Sequence, residues 1–366
     1  MSRVYLDHNA TTPLRVEARA AMLAAMDVAG NPSSVHAEGR EAKRVVERAR
    51  AQVAELVGCR TTQVVFTGSA TEAAALAVAQ KGRHGGSFVA LPTEHDCVAV
   101  WSESEINGLL DTAGKMRGCE GTLAHEALVG ISAANSETGI VRPGARVAGS
   151  GKNYSTLCDI TQIAGKMPVL FEDVTPSYAI LSAHKLGGPK GVGALINFTA
   201  EDPEAMIRGG GQEMGRRSGT ENVIGIAGFG AAAQAARHDV ATGVWDEVAQ
   251  FRNILENAIA AVTNKTIFVG KAVERLPNTS LILTPGWKGE TQVMQMDLAG
   301  FAVSAGSACS SGKVKSSKVL TAMGFDEQEA ACAIRVSLGL ETTKRDVLRF
   351  ADAWAAKYEK HEMRAA

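Results

Sequence analysis

The stretch "ILSAHKLGGPKGVGAL", Ile180 to Leu195, places a lysine directly after a short apolar run and follows it with a loop of glycine and proline. The run has the composition of a buried strand. Lys185 stands where that strand ends, beside Ser182 and His184, and a lysine so held suits a Schiff base with a carbonyl cofactor. Lys190 is a rival, less well positioned inside the loop, and surface solvation is the commonest fate of either lysine.

Further runs of the same kind lie to either side: "QVVFT" from Gln63, "SFVALP" from Ser87, "LVGISAAN" from Leu128, "STLCDI" from Ser155 and, overlapping the first, "YAILSA" from Tyr178. Each ends in small, polar or charged residues. Helical segments separate several of them. In "SSVHAEGREAKRVVERARAQVAELVG" the apolar positions are Val35, Val45, Val46, Val53, Leu56 and Val57, and Gly58 closes the helix. Strands alternating with helices predict an α/β fold with parallel strands. In such sheets ligands collect beyond the carboxyl ends of the strands. The residues to search are therefore Thr67 to Glu72, Glu94, His95, Asn135, Asp159, Gln162 and Ser182 to Lys185.

"TGSATEAAALAVAQ" sets hydroxyls and small residues where a strand turns into a helix, and the N–H groups of a helix start attract phosphate. Plain helix capping accounts for the same residues. "CDITQIAGK" ends a strand with Asp159, which either pairs with a protonated ring nitrogen or caps the next helix. In "AIRVSLG", Ile334, Val336 and Leu338 alternate with Arg335 and Ser337. A strand there presents the guanidinium on one face, suited to a carboxylate in two-point contact or to an ordinary ion pair.

Composition limits the rest. With 366 residues, 45% of them hydrophobic, the chain is large enough to divide into two domains. A net charge of -1 and the lack of a long basic run argue against direct nucleic-acid binding. "MSRVYLDHNA" carries no apolar signal region, and "VIGIAGFGAAAQAA" from Val223 is too short to span a membrane and reads as a buried helix. Cys59, Cys97, Cys119, Cys158, Cys309 and Cys332 form no C-x-x-C pair, so free thiols and a cytoplasmic location are expected. Two look-alikes fail. "GSACSSGK" has five residues between its glycines where a P-loop has four, and "GGGQEMG" from Gly209 is off the dinucleotide spacing by one.

One cysteine differs from the others. "SAGSACSSGK", Ser304 to Lys313, puts Cys309 in a run without bulky side chains, poor core material and a backbone free to swing. Lys313 and Lys315 stand near enough in sequence to favour its thiolate.

Taken together, "YLDHNATTPL", "GNPSSVHAEGR", "ATEAAAL", "TEH", "ANSETG", "DITQIAGK", "SAHKLGGPKGVGAL", "GGGQEMGRRSGTEN", "GSACSSG" and "IRVSLG" resemble the NifS/IscS family of cysteine desulfurases, in the class V aminotransferase group of fold-type I pyridoxal phosphate (PLP) enzymes. The resemblance runs from residue 5 to about 340. It implies a large PLP-binding domain over 12–260 with a mainly parallel sheet of about seven strands, and a smaller α/β domain from 1–11 and 261–366 that carries the cysteine loop.

The resemblance also assigns roles. Lys185 would carry PLP, His95 would stack on its ring, Asp159 would pair with the ring nitrogen and Gln162 would hydrogen-bond the ring hydroxyl. Ala70, Thr71, Ser182 and His184 would hold the phosphate, with Thr220 reaching in from the second subunit of a homodimer. Asn135, Arg335 and Asn9 would bind the carboxylate of L-cysteine. Cys309 would take the substrate's sulfur as a persulfide, leave L-alanine, and deliver the sulfur to an iron–sulfur scaffold or another acceptor protein. A selenocysteine lyase, an aminotransferase and a PLP-free scaffold are the other functions compatible with the blocks.

The chain departs from the family pattern in the order of Gly68 and Ser69, in Ser136 where a second Asn is usual, and in His8 beside Asn9. The first implies that a backbone N–H replaces the Ser69 hydroxyl at the phosphate. The segment between His95 and Asn135 is short, with a weak strand signal at 114–121.

Overall fold

The computed structural model describes residues 3–104, 111–112, 127–142, 155–171, 175–306 and 316–365. Cys309, Cys119, Lys313, Lys315 and the segment 114–121 lie outside the described residues.

The elements of the first half are β1 (Val4–Tyr5), α1 (Val16–Met26), α2 (Ala37–Val57), β2 (Val64–Thr67), α3 (Ala70–Val78), β3 (Ser87–Ala90), α4 (Asp96–Ala99), β4 (Ala127–Ser132), β5 (Ser155–Asp159), β6 (Tyr178–Ser182) and β7 (Gly193–Asn197). They are followed by α5 (Val223–Thr242), α6 (Val244–Ala260), β8 (Ile267–Phe268), β9 (Thr279–Leu283), α7 (Gly289–Leu298), β10 (Phe301–Ala302), β11 (Ser304–Ala305), α8 (Lys318–Ala322), α9 (Glu327–Ala330), β12 (Ala333–Ser337) and α10 (Lys344–Ala365).

Six strands among the described residues form the main sheet, in the order β2-β7-β6-β5-β4-β3. The four from β3 to β6 are mutually parallel. Their residues are almost all buried, as expected of a sheet covered on both faces, and this is why they read as continuous apolar runs. The sequence reading missed β7, which is antiparallel to both neighbours and separates β2 from its parallel partners. "GVGAL" had been taken as the tail of a loop; its second glycine, Gly193, is already strand.

Helices α1, α2 and α5 pack together against the sheet. Helix α2 ends at Gly58 as expected, but it begins at Ala37, capped by the His36 ring, which accepts a hydrogen bond from the Gly39 N–H. Val35 therefore stands outside it, 88% exposed, and contributes nothing to the apolar face. Helix α5 is the buried helix expected over the apolar stretch from Val223. Among the described residues no helix is long and apolar enough to cross a membrane.

The C-terminal third builds an antiparallel sheet, β11-β12-β9-β8, and a two-stranded pair in which β1 runs parallel to β10. Trp245, Val248, Leu255 and Ile259 of α6 share a core with Trp287, Trp354 and the N-terminal Val4 and Leu6. The chain's beginning is thereby tied to its last third. The main sheet has its own core, which includes Phe66, Val129, Leu181 and Phe229.

Candidate active site

Parallel strands deliver their last residues to one edge, and the register fixes which residues meet. Ser132 of β4 pairs with Asp159 of β5, and Asp159 pairs with Ile180 of β6. A cavity of about 210 Å³ opens at this edge. Lys185, His95, Asp159, Gln162, Asn135, Ser182, His184, Ala70 and Thr71 all line it. Nine candidates drawn from five separate stretches of sequence thus share one wall.

Lys185 Nζ donates to the carbonyls of Asn9 (2.6 Å) and Ala10 (2.9 Å). The N-terminal segment therefore supplies backbone oxygen to this amine, and the Asn9 side chain turns away. Its Nδ2 donates to Thr279 Oγ1 and its Oδ1 accepts from Asn278. Asp159 Oδ1 accepts from the Thr161 N–H at 2.9 Å, which sets the carboxylate at the start of the following turn. Burial, with Lys185 and Lys190 adding repulsion, pushes His184 down to about 4, so its ring is neutral, and Nδ1 lies 3.1 Å from Thr11 Oγ1.

At the other end of the cavity, α3 begins. Ser69 caps it, its Oγ accepting from the Glu72 N–H, while Glu72 Oε2 accepts from the Gly68 N–H. The first N–H groups of a helix lack partners within it, and Ala70 and Thr71 line the wall at that start. Gly193 permits this: a Cβ there would stand 2.5 Å from the Ser69 carbonyl carbon and 2.8 Å from the Ala70 nitrogen. The strand carries no side chain where the helix start must come close. Ser69 also lines the cavity, so the swapped Gly68–Ser69 order keeps the hydroxyl at the wall while using it as the cap.

His95 starts α4, and its Nδ1 accepts from the Cys97 N–H at 3.2 Å. Behind it lies a buried clamp. Arg142 reaches Glu94 Oε1 and Thr93 Oγ1, each at 2.6 Å, while burial pushes the Glu94 carboxyl up. The Asn135 amide is engaged on both sides. It donates to the Thr93 carbonyl and accepts from Glu137 N, Thr138 N and Thr138 Oγ1.

Arg335 is buried, as are all five residues of β12. Its Nη1 donates to the Ser136 carbonyl and its Nη2 pairs with Asp7. It reaches the cavity at one remove, through Ser136, which lines it. Thr220 is exposed and does not line the cavity.

Cys97 lines the cavity besides packing in the core. The tight turn into α4, two residues after His95, brings it round, and single-sequence periodicity carries no trace of so short a helix. Cys158 is fully buried beneath Asp159. Lys166, the last residue of "DITQIAGK", is buried, which nothing in the local pattern signals.

A lysine amine, a carboxylate at a strand end, an aromatic ring and a helix start with free donors match the amine anchor, ring-nitrogen partner, stacking face and phosphate seat that PLP requires. The architecture is that of the fold-type I PLP enzymes. The chain belongs to the aminotransferase class-V family, whose model matches residues 4–350. It is similar to a cysteine desulfurase of Frankia sp. (strain EuIK1), 38% identical over 95% of this chain and 90% of that protein. It is also similar to the cysteine desulfurase IscS of Anaeromyxobacter sp. (strain Fw109-5), 37% identical over 94% of this chain and 89% of that protein. Among solved structures, a NifS-like protein from Rickettsia africae ESF-5 superposes with a TM-score of 0.88 at 31% identity, covering 98% of this chain and 99% of that one.

Proposed function

We propose that the protein is a PLP-dependent cysteine desulfurase. The observation that carries this reading is the convergence of Lys185, Asp159, His95 and the α3 start on one cavity at the carboxyl edge of the sheet. When bound, PLP supplies an electron sink for the substrate's Cα. Lys185 anchors it through Nζ, and the N–H groups of Ala70 and Thr71 hold its phosphate with Ser182 and His184. A neutral His184 donates one hydrogen bond there without adding charge. Asp159 would hold a proton on the ring nitrogen, Gln162 would donate to the ring hydroxyl, and His95 would lie against the ring.

For the substrate, Asn135 and Arg335 bind the carboxylate of L-cysteine, with Asn9 fixing the chain around them. Arg335 is suited to this, since its Nε is buried and has no partner among the described residues. Cys309 receives the sulfur: a new S–S bond forms as the substrate's Cβ–S bond breaks, leaving L-alanine and a persulfide for an acceptor such as an iron–sulfur scaffold. Thr220 completes the phosphate seat of the other subunit in a homodimer, and its exposure in the single chain supports this. A cytoplasmic setting, where thiols stay reduced, suits such chemistry.

The test is to supply the purified protein with PLP, L-cysteine and a thiol reductant, and to measure sulfide and alanine. Cys309→Ala should keep the cofactor's visible absorbance and lose sulfide; Lys185→Ala should lose both. Turnover that survives Cys309→Ala would instead identify a lyase or aminotransferase.

A further inference from the structure

Lys166 is 4% exposed, and among the described residues its ammonium meets only Gln162: Nζ donates to the Gln162 backbone carbonyl at 2.8 Å and to Oε1 at 3.1 Å. Among the described residues no carboxylate pairs with it. Burial, with repulsion from Lys185 and Arg335, pushes its pKa down to about 7. A buried cation without a partner is costly, and apolar residues of similar volume usually serve stability better. Stability therefore gives no reason for a lysine here.

The neighbouring geometry gives one. A carboxamide has two ends of similar shape and opposite polarity, and only its partners decide which way it faces. Lys166 can only donate while protonated, so it requires Oε1. The Asn9 carbonyl can only accept, and Gln162 Nε2 donates to it at 3.0 Å. The two fix the amide from opposite sides and leave its second N–H for the cavity that Gln162 lines. The backbone before Lys166 is pinned as well, since Trp245 Nε1 donates to the Gly165 carbonyl at 2.8 Å. The same Asn9 carbonyl receives Lys185 Nζ, so one backbone oxygen joins the amide to the amine.

We propose that Lys166 is a positioning residue that locks the Gln162 amide so that an N–H, and not the carbonyl, faces the ring hydroxyl of the cofactor. The inference rests on the placement of Gln162 beside the PLP ring proposed above. It extends the site by a residue that touches neither cofactor nor substrate.

The test is a double-mutant cycle read by PLP dissociation constant and by the pH midpoint of the bound cofactor's absorbance, using Gln162→Ala, Lys166→Met and the pair. Lys166→Met is expected to weaken PLP binding about tenfold and to move the midpoint. In the Gln162→Ala background it should do neither. Its thermal midpoint at pH 7 should equal or exceed the parent's, because an unpaired charge is removed. The cycle is repeated with Lys166→Gln as a guard against a variant that does not fold, and the same coupling is required of it. If Lys166→Met acts equally in both backgrounds, or leaves binding and midpoint unchanged while Gln162→Ala shifts them, the proposal is overturned and the role of Gln162 stands. If Gln162→Ala itself moves neither quantity, the placement of Gln162 fails, and the inference with it.

Discussion

Asp7 Oδ1 lies 2.8 Å from Arg335 Nη2, joining the N-terminal segment to strand β12 through a guanidinium 97% buried at its side chain. Ser304 Oγ donates to the other Asp7 oxygen, and the Ser136 carbonyl takes Nη1. Removing the carboxylate leaves the charge uncompensated, so Asp7→Ala should cost roughly 3 to 5 kcal/mol, measured as a shift in the urea midpoint. The carboxylate-binding role proposed for Arg335 predicts that Arg335→Lys raises KM for cysteine about tenfold or more with a smaller change in kcat, because an ammonium cannot serve Asp7, Ser136 and a substrate carboxylate together.

Gly339 is the floor for the His8 ring. A Cβ at Gly339 would stand 2.0 Å from His8 Cε1 and 2.5 Å from Nδ1. Gly339→Ala should therefore destabilise by about 1 to 3 kcal/mol through overpacking. His8→Ala in the same chain should recover most of it, a rescue visible in thermal midpoints. A Gly339→Ala protein as stable as the parent would show that the ring is free to leave.

Glu213 and Met214 both adopt left-handed backbone, φ 49° and 58°, inside the segment that leads to Thr220. Glu213 is held by Arg50 in a two-point pair at 2.7 and 2.8 Å and by the Phe66 N–H at 3.0 Å. That grip opposes the conformational cost of the turn. Arg50→Met should cost roughly 3 to 5 kcal/mol, and adding Glu213→Gln should return part of it, in denaturant titrations.

Lys166 gives the stability curve a readable slope. The unfolded chain keeps this proton up to about 10.5, while the folded protein releases it near 7. Between those values the unfolded state binds more protons, so stability rises with pH, at most by about 1.4 kcal/mol per unit. Lys166→Met lacks that rise. Its advantage over the parent should be largest at pH 6 to 7 and shrink by pH 9; a constant difference would show that the amine is not depressed.

Much of this was legible because buried parallel strands announce themselves. "LVGIS", "STLCD" and "YAILS" have no polar alternation to confuse, and chemistry-bearing residues stand just where each run stops. Strand β7 was missed because it opens on a glycine needed for the approach of α3, a tertiary demand that local pattern does not encode. Val35 failed in the opposite way: its apolar character fitted the helix period, but the His36 cap starts the helix after it. Asn9 is expected to act through its side chain, whereas its backbone oxygen is what meets Lys185. Which atom a residue presents is settled by partners such as Asn278 and Thr279, remote in sequence.

The pairing of Val4 with Phe301 and Tyr5 with Ala302 has a consequence in time. The carbonyls that hold Lys185 belong to the segment those pairs anchor; its bonds to Gln162, His184 and Gly187 can form earlier, but the anchoring is complete only once residue 302 has been synthesised. At roughly 5 to 20 residues per second, strand β6 and the turn after it that bears Lys185 are complete on the order of ten seconds earlier. During vectorial synthesis the amine is thus present before the last of its restraints, and the site matures only when Val4 and Tyr5 meet Phe301 and Ala302.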